Sequence, residues 1–231
     1  MEAINKEKLS YFTNLAHEFK TPLTLIQGPA SQLVRQTTDP KEKEDLQIIN
    51  RNAQYLLSLV NQLIDLRKID TQNLTLNYSQ FNFSKFLNTT ITDFSNLMKE
   101  RNISFEKIYR LKSDHIYSDK ENLHKILFNL LSNAIKHTPD KGKITLHANQ
   151  FIDKSNKLMQ FISVTNSGSI IAPDEIDKIF NRFYRIPEQN KYTNYGQSST
   201  GIGLHIVKEL INLLDGTIKV KSSEKEGVSF R

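Results

Sequence analysis

Residues 12–35, F-T-N-L-A-H-E-F-K-T-P-L-T-L-I-Q-G-P-A-S-Q-L-V-R, place apolar side chains at Phe12, Phe19, Leu23, Ile26, Ala30 and Leu33, in three- and four-residue steps apart from one step of seven. That spacing lays one apolar stripe along a helix ending near Arg35 and predicts a partner helix to cover it. The partner follows. Leu46, Ile49, Ala53, Leu56, Val60 and Leu63 step by 3, 4, 3, 4 and 3, a coiled-coil seam that Leu57, Leu59 and Ile64 widen. Residues 37–40 break the pattern, and Asp39-Pro40 is a helix start. Two helices joined by so short a turn form an antiparallel hairpin, which at about 65 residues cannot enclose a core alone. A symmetric dimer making a four-helix bundle is the expected remedy; the alternative is packing against the rest of the same chain.

Within the first helix, His17 is followed by Glu18, with Lys20, Thr21 and Pro22 beyond. A solvent-facing imidazole beside a carboxylate suits a phosphate acceptor whose ring is held and deprotonated by that carboxylate. Pro22 removes a backbone donor and is expected to bend the helix.

The 231 residues leave room for one large or two small domains, with the apolar and charged fractions of ordinary soluble protein. No run of about 18 apolar residues spans a membrane and no signal peptide stands at Met1. There is no cysteine, which excludes disulfides, thiolate metal sites and cysteine nucleophiles. The net charge of +6 suits an anionic ligand. Its basic residues are dispersed among nearly as many acids, with no dense stripe and no aromatic interleaving, so no nucleic acid is expected as a partner.

After Asp70 a polar linker, residues 70–73, leads into mixed segments. Strands are expected at 74–78, 103–109, 115–118, 143–151, 160–165 and 217–221, and helices near 84–100, 119–137, 173–180 and 203–214. Such irregular alternation predicts a sheet covered on one face by helices. Residues 184–200 lack periodicity and read as a long binding loop or lid.

On the expected helix from Asp119, Asn129 and Asn133 lie four apart, with Lys136 and His137 one turn on. The two amides then share a face. They are poor ligands for a bare metal but reasonable ones for a Mg²⁺ that brings phosphate oxygens and water. Lys136 would meet phosphate and His137 lie against a base; otherwise the face merely touches water. Asparagine is a weak helix former, so two inside an apolar helix call for a reason. Further on, S-S-T-G-I-G-L at residues 198–204 runs into an amphipathic helix, and glycines at a helix start let backbone amides approach an anion.

These residues carry a family signature. F-T-N-L-A-H-E-F-K-T-P-L from Phe12 resembles the phosphoacceptor box of the sensor histidine kinases of two-component signalling. N-L-L-S-N-A-I-K-H-T-P from Asn129 is similar to their N box, I-F-N-R-F-Y-R from Ile179 to their F box, and S-T-G-I-G-L from Ser199 to their second glycine box, in the same order. The resemblance implies an α+β chain of two domains. Residues 1–70 would be a two-helix hairpin for dimerisation and histidine phosphotransfer, dimerising into a four-helix bundle. Residues 74–231 would be an α/β-sandwich ATP-binding domain of the histidine-kinase/GHKL type.

The resemblance also implies roles. His17 is similar to the phosphorylated histidine, Glu18 to the carboxylate that assists proton removal, and Thr21 to the position that helps hydrolyse the partner's phosphate. Asn133, supported by Asn129, resembles the Mg²⁺ ligand. Lys136, Arg185 and the run Thr200, Gly201, Ile202, Gly203 and Leu204, through the amides around its two glycines, resemble the ATP phosphate contacts. The implied partners are a second copy of the chain and a response-regulator receiver domain. The implied setting is a cytoplasmic segment, without membrane contact of its own, excised from a larger membrane-anchored sensor.

Two motifs depart from the family: Ser199 stands where the second glycine box often has a glycine, a milder change, and the first glycine box departs further. The first glycine box is normally D-x-G-x-G, and here the run is Asn166-Ser167-Gly168-Ser169-Ile170, lacking the aspartate and the second glycine. Asn166 can still accept the adenine amino proton through its carbonyl oxygen, but a neutral bond contributes about 0.5–1.5 kcal/mol against about 1.5–3 for a charged one. Ile170, β-branched, tolerates neither positive φ nor close backbone approach to a ligand. The expectation is catalysis with altered nucleotide affinity; the competing one is a pseudokinase, a dimeric relay scaffold that binds nucleotide poorly.

Overall fold

Two long helices come first and a mixed sheet with its covering helices second. The computed structural model describes the backbone of residues 2–71, 73–154, 156–186 and 200–231, and side chains from residue 19 onward within those stretches. The chain divides into two units, Met1–Leu74 and Thr75–Arg231.

In the first unit α1 (Glu2–Gln36) and α2 (Pro40–Asp70) pack on each other. α1 remains helical through Pro22 and Pro29. Asp39 caps α2, accepting from the amides of Lys41 at 2.8 Å and Glu42 at 3.2 Å, and Pro40 needs no donor at the first helical position. Ala30, Ala53, Val60 and Leu66 are buried between the helices, and Ser31 donates to Asn50 Oδ1 across them at 2.9 Å. Among the described residues, six of the stripe and seam, Phe19, Ile26, Leu33, Ile49, Leu56 and Leu63, stay exposed in the single chain.

The second unit holds a two-stranded ribbon, β1 (Tyr78–Asn82) antiparallel to β3 (His115–Asp119), and a five-stranded sheet. The sheet order is β2 (Ser104–Arg110), β4 (Lys143–Ile152), β5 (Leu158–Asn166), β7 (Gly227–Phe230) and β6 (Val220–Ser223), with only β2–β4 parallel. Alternate residues of β4 (Ile144, Leu146, Ala148 and Gln150) are buried, as period two requires of a sheet covered on one face. The covering side chains come from α5 (Lys120–His137), which buries Leu127, Leu130, Leu131, Ala134 and Ile135, and from α6 (Gly203–Leu213), which buries Ile206, Val207 and Leu210. α5 packs on β5, on α6 and on α3 (Phe83–Thr92).

Four expected elements differ. The first strand lies at 78–82 rather than 74–78, because pairing with β3 selects it and the Asp119 carboxylate holds the Asn77 amide at 2.7 Å just ahead. The helix expected over 84–100 is two, α3 and α4 (Ser95–Glu100), separated at Asp93-Phe94. Thr89, Thr90 and Thr92 each turn a hydroxyl back to the carbonyl four residues earlier, which weakens a helix end. Residues 173–180 hold two single 3₁₀ turns, Pro173–Glu175 and Lys178–Phe180, not a continuous helix. The last expected strand, 217–221, lies at Val220–Ser223 as one arm of a hairpin with β7.

Candidate functional site

α5 begins where Asp119, 1% exposed, caps it through the Asn122 amide at 2.8 Å. Its apolar face is fixed against the sheet, so the half-buried Asn129, Asn133, Lys136 and His137 are left on its remaining surface. Asn129 donates through Nδ2 to Lys125 O at 2.8 Å, which leaves Oδ1 directed at the start of α6. A Cβ built on Gly203 would lie 2.7 Å from that oxygen. The second glycine of the G-I-G run is therefore what lets α6 abut the Asn129 amide.

No side chain caps α6, so its first-turn amides at Gly203 and Leu204 have no intrahelical acceptor, the arrangement that suits a helix start to an anion. Ile202 is buried beneath them, and its amide donates to Thr200 Oγ1 at 3.2 Å. Gly201 has φ +69°, and a Cβ there would fall 2.6 Å from Phe183 C and 2.7 Å from Tyr184 O. The glycine motif is thus seated on the I-F-N-R-F-Y-R motif, with the Phe183 amide donating to Gly201 O at 3.0 Å.

Lys136 is half-buried, and burial together with the charge of the neighbouring Arg185 lowers its pKa to about 8. Two cations held near each other at that cost make an electropositive surface that favours an anion. Burial, and secondarily Lys136, lowers His137 to about 4, so its ring is neutral at physiological pH and suits stacking against a base.

The wall beyond α5 is built on glycines. Gly168, φ +84°, would put a Cβ 2.4 Å from Pro139 Cδ, which presses the turn after β5 against the residues that follow His137. Asn166, 2% exposed, donates to Ser169 Oγ at 2.8 Å, and its carbonyl oxygen accepts no hydrogen bond among the described residues. Ile170 does not have positive φ and its side chain is 47% exposed, so the residue expected to strain the turn adopts an ordinary backbone here.

The donor set bears on a metal. Among the described residues no three acidic or imidazole side chains converge on a metal. Asn133 makes no side-chain hydrogen bond among them, so its amide is open to an ion that arrives with its own oxygen ligands.

The expected site residues of the second unit thus come together: Asn129 with Gly203, Lys136 with Arg185, and Gly168 with the loop after His137. His17 and Glu18 lie on α1, but their side chains fall outside the described residues. Thr21 is described and exposed, one helical turn beyond His17. Of the expected lid, residues 187–199 lie outside the described residues.

Sequence reasoning missed several supports. His205 donates through Nδ1 to Phe180 O at 3.1 Å and accepts at Nε2 from Arg182 Nε at 2.8 Å, which joins α6 to the phenylalanine motif. Lys208 lies 5.7 Å over the Phe180 ring. Arg101 and Gly142 brace the far end of α5. None stands at a spacing that marks it.

The chain is similar to known proteins in sequence and in fold. A family model described as histidine kinase-, DNA gyrase B- and HSP90-like ATPase matches residues 118–231, and one described as His Kinase A (phospho-acceptor) domain matches residues 7–72. Histidine kinase P4 of Formosa agariphila is 38% identical over 234 residues, covering 100% of this chain and 16% of its own length. Full-length ShkA in complex with AMPPNP superimposes with TM-score 0.72 at 24% identity, over 96% of this chain and 44% of that one. Histidine kinase ThkA in complex with the response regulator protein TrrA does so with TM-score 0.61 at 24% identity, over 97% and 62%. The chain spans 15 to 26% of the length of the first curated relatives it matches.

Proposed function

Because the chain belongs to the histidine kinases, with a phosphoacceptor region followed by an ATPase domain, we propose that it binds ATP with Mg²⁺, phosphorylates His17 and passes the phosphoryl group to a receiver-domain aspartate. The observation that carries this reading is the half-buried Lys136 beside Arg185, an electropositive pair flanked by the uncapped start of α6 and the open amide of Asn133. That arrangement suits the polyphosphate of a nucleotide, with neutral His137 and the Asn166 carbonyl at its base.

Asn133, with Asn129 behind it, would hold Mg²⁺, which supplies charge neutralisation on the phosphates when bound. The chain's own groups do the rest. One imidazole nitrogen of His17 attacks the γ-phosphorus in line, forming an N–P bond as the bond from γ-phosphorus to the β–γ bridging oxygen breaks; the electron pair leaves with ADP. The other nitrogen's proton is held by Glu18, which keeps the attacking nitrogen unprotonated. Lys136, Arg185 and the amides of Gly203 and Leu204 orient the triphosphate. Thr21, one turn along the same helix, would position water for hydrolysis of phosphorylated receiver.

The exposed seam of Ile26, Leu33, Ile49, Leu56 and Leu63 supports a homodimer, since a four-helix bundle would bury what the single hairpin leaves in water. The described residues contain no helix long and apolar enough to cross a membrane. The chain acts, on this reading, as the catalytic segment of a larger sensor kept in the cytoplasm.

Incubation with Mg²⁺ and γ-labelled ATP tests the proposal. Acid-labile, base-stable label that disappears in His17→Gln supports it. Absence of label at millimolar ATP favours the relay scaffold instead.

A further inference from the structure

We infer that Arg101 is a positioning residue of the nucleotide site, acting through the carbonyl end of α5; this deepens the ATP-binding reading and rests on it. Arg101 lies at the end of α4, in a segment with no part in any motif, yet its side chain is only 5% exposed. Its guanidinium donates from Nη1 to Ile135 O at 2.6 Å, from Nη2 to Thr138 O at 2.6 Å and from Nε to Asp140 Oδ1 at 2.9 Å. The Lys141 amide returns a bond to Arg101 O at 3.1 Å. One planar group thus holds both ends of the segment that carries Lys136, His137 and Pro139.

The last carbonyls of a helix have no intrahelical donors and carry partial negative charge, so a buried cation there both satisfies them and fixes where the helix stops. Thr138 assists, closing its hydroxyl on Ala134 O at 2.5 Å. What this stop determines is the site. Lys136 and His137 are the final residues of α5, and Pro139 is the surface on which Gly168 is seated, two residues from Asn166. Releasing the guanidinium would let the phosphate-facing lysine, the imidazole and the wall carrying Asn166 drift together. Lysine cannot replace it, because an ammonium has no fork with which to span two carbonyls and a carboxylate.

The full chain tests this through the Michaelis constant for ATP against the rate of His17 labelling at saturation. Arg101→Lys is expected to raise the Michaelis constant about fivefold or more, with the saturated rate within about twofold, because the attacking groups lie elsewhere. Asp140→Asn, at a side chain 67% exposed, replaces the charged acceptor of one anchor by a neutral one without endangering folding and is expected to raise it about twofold. A Michaelis constant unchanged in both variants, whatever happens to the melting temperature, overturns the inference. If Arg101→Lys fails to fold, Asp140→Asn decides alone. A wild-type chain that takes up no ATP overturns the nucleotide reading, and this inference with it.

Discussion

Gly203 stands against Asn129 so closely that a Cβ on the glycine would fall 2.7 Å from the amide oxygen. The start of α6 and the polar face of α5 are therefore spaced by the absence of one methyl group. Gly203→Ala must push the Asn129 amide aside, whereas the helix itself gains, alanine being the better helix former by ~1 kcal/mol. We expect ATP affinity to fall about tenfold or more while the melting temperature holds or rises. Calorimetric titration and thermal unfolding of the same preparation separate the two effects; a loss of affinity that merely follows a loss of stability would refute this account.

Asn166 presents a neutral carbonyl where the resembled family has a carboxylate. Its Nδ2 bond to Ser169 Oγ survives substitution, since the hydroxyl can reverse and donate. Asn166→Asp is therefore expected to tighten ATP binding about tenfold, the difference of about 1.4 kcal/mol between a charged and a neutral acceptor. GTP, which offers no exocyclic amino group at that position of its base, should gain nothing. Equal gains for both nucleotides would show that Asn166 does not read the base.

Lys136 titrates at about 8 in the folded chain, below the usual lysine range, because of burial and then Arg185. Between the two values the unfolded chain binds more protons, so this group's contribution to stability is present above the ordinary lysine pKa and is lost as pH falls through about 8. Bound polyphosphate reverses the preference by favouring the ammonium. ATP affinity should then be flat from pH 7 to 8 and decline above it, approaching tenfold per unit at most. Lys136→Met should bind weakly with no such decline, and a parallel decline in both proteins would assign the titration to another group.

His137 is held neutral by burial, with a pKa of about 4. Its unfolded form takes up a proton near 6.5, so the stability tied to the neutral ring is complete above that pH and is lost as pH falls through about 4. Being only half-buried, the ring should contribute about 2 kcal/mol to this acid sensitivity, less than its full shift implies. His137→Gln should flatten the dependence of the melting temperature between pH 4 and 6.5. An unchanged acid profile would mean that other groups carry it.

What was legible in the sequence follows from the range of the forces involved. The hairpin could be read because seam residues at steps of three and four are a property of one helix, and Asp39-Pro40 starts the second by contacts within three residues. The amides, lysine and imidazole of α5 could be placed on one surface for the same reason. The first strand was misplaced because Leu74 to Tyr78 (L-T-L-N-Y) alternates whereas Tyr78 to Asn82 (Y-S-Q-F-N) does not, and only pairing with His115–Asp119 selects the second. The break at Asp93-Phe94 was hidden because each threonine is tolerable alone, and their hydroxyls weaken the helix end jointly.

Composition and local periodicity by themselves determined α1, α2, α5 and α6, the hairpin and the residue types available for phosphate chemistry, since each depends on neighbours within a turn or two. Only the tertiary structure decided that Gly203 meets Asn129, that Gly168 is seated on Pro139 and that Arg101 spans Ile135 and Thr138. Those contacts join residues tens of positions apart, where no sequence period operates, and they exist because sheet pairing and the burial of α5 and α6 bring distant backbone within ångströms.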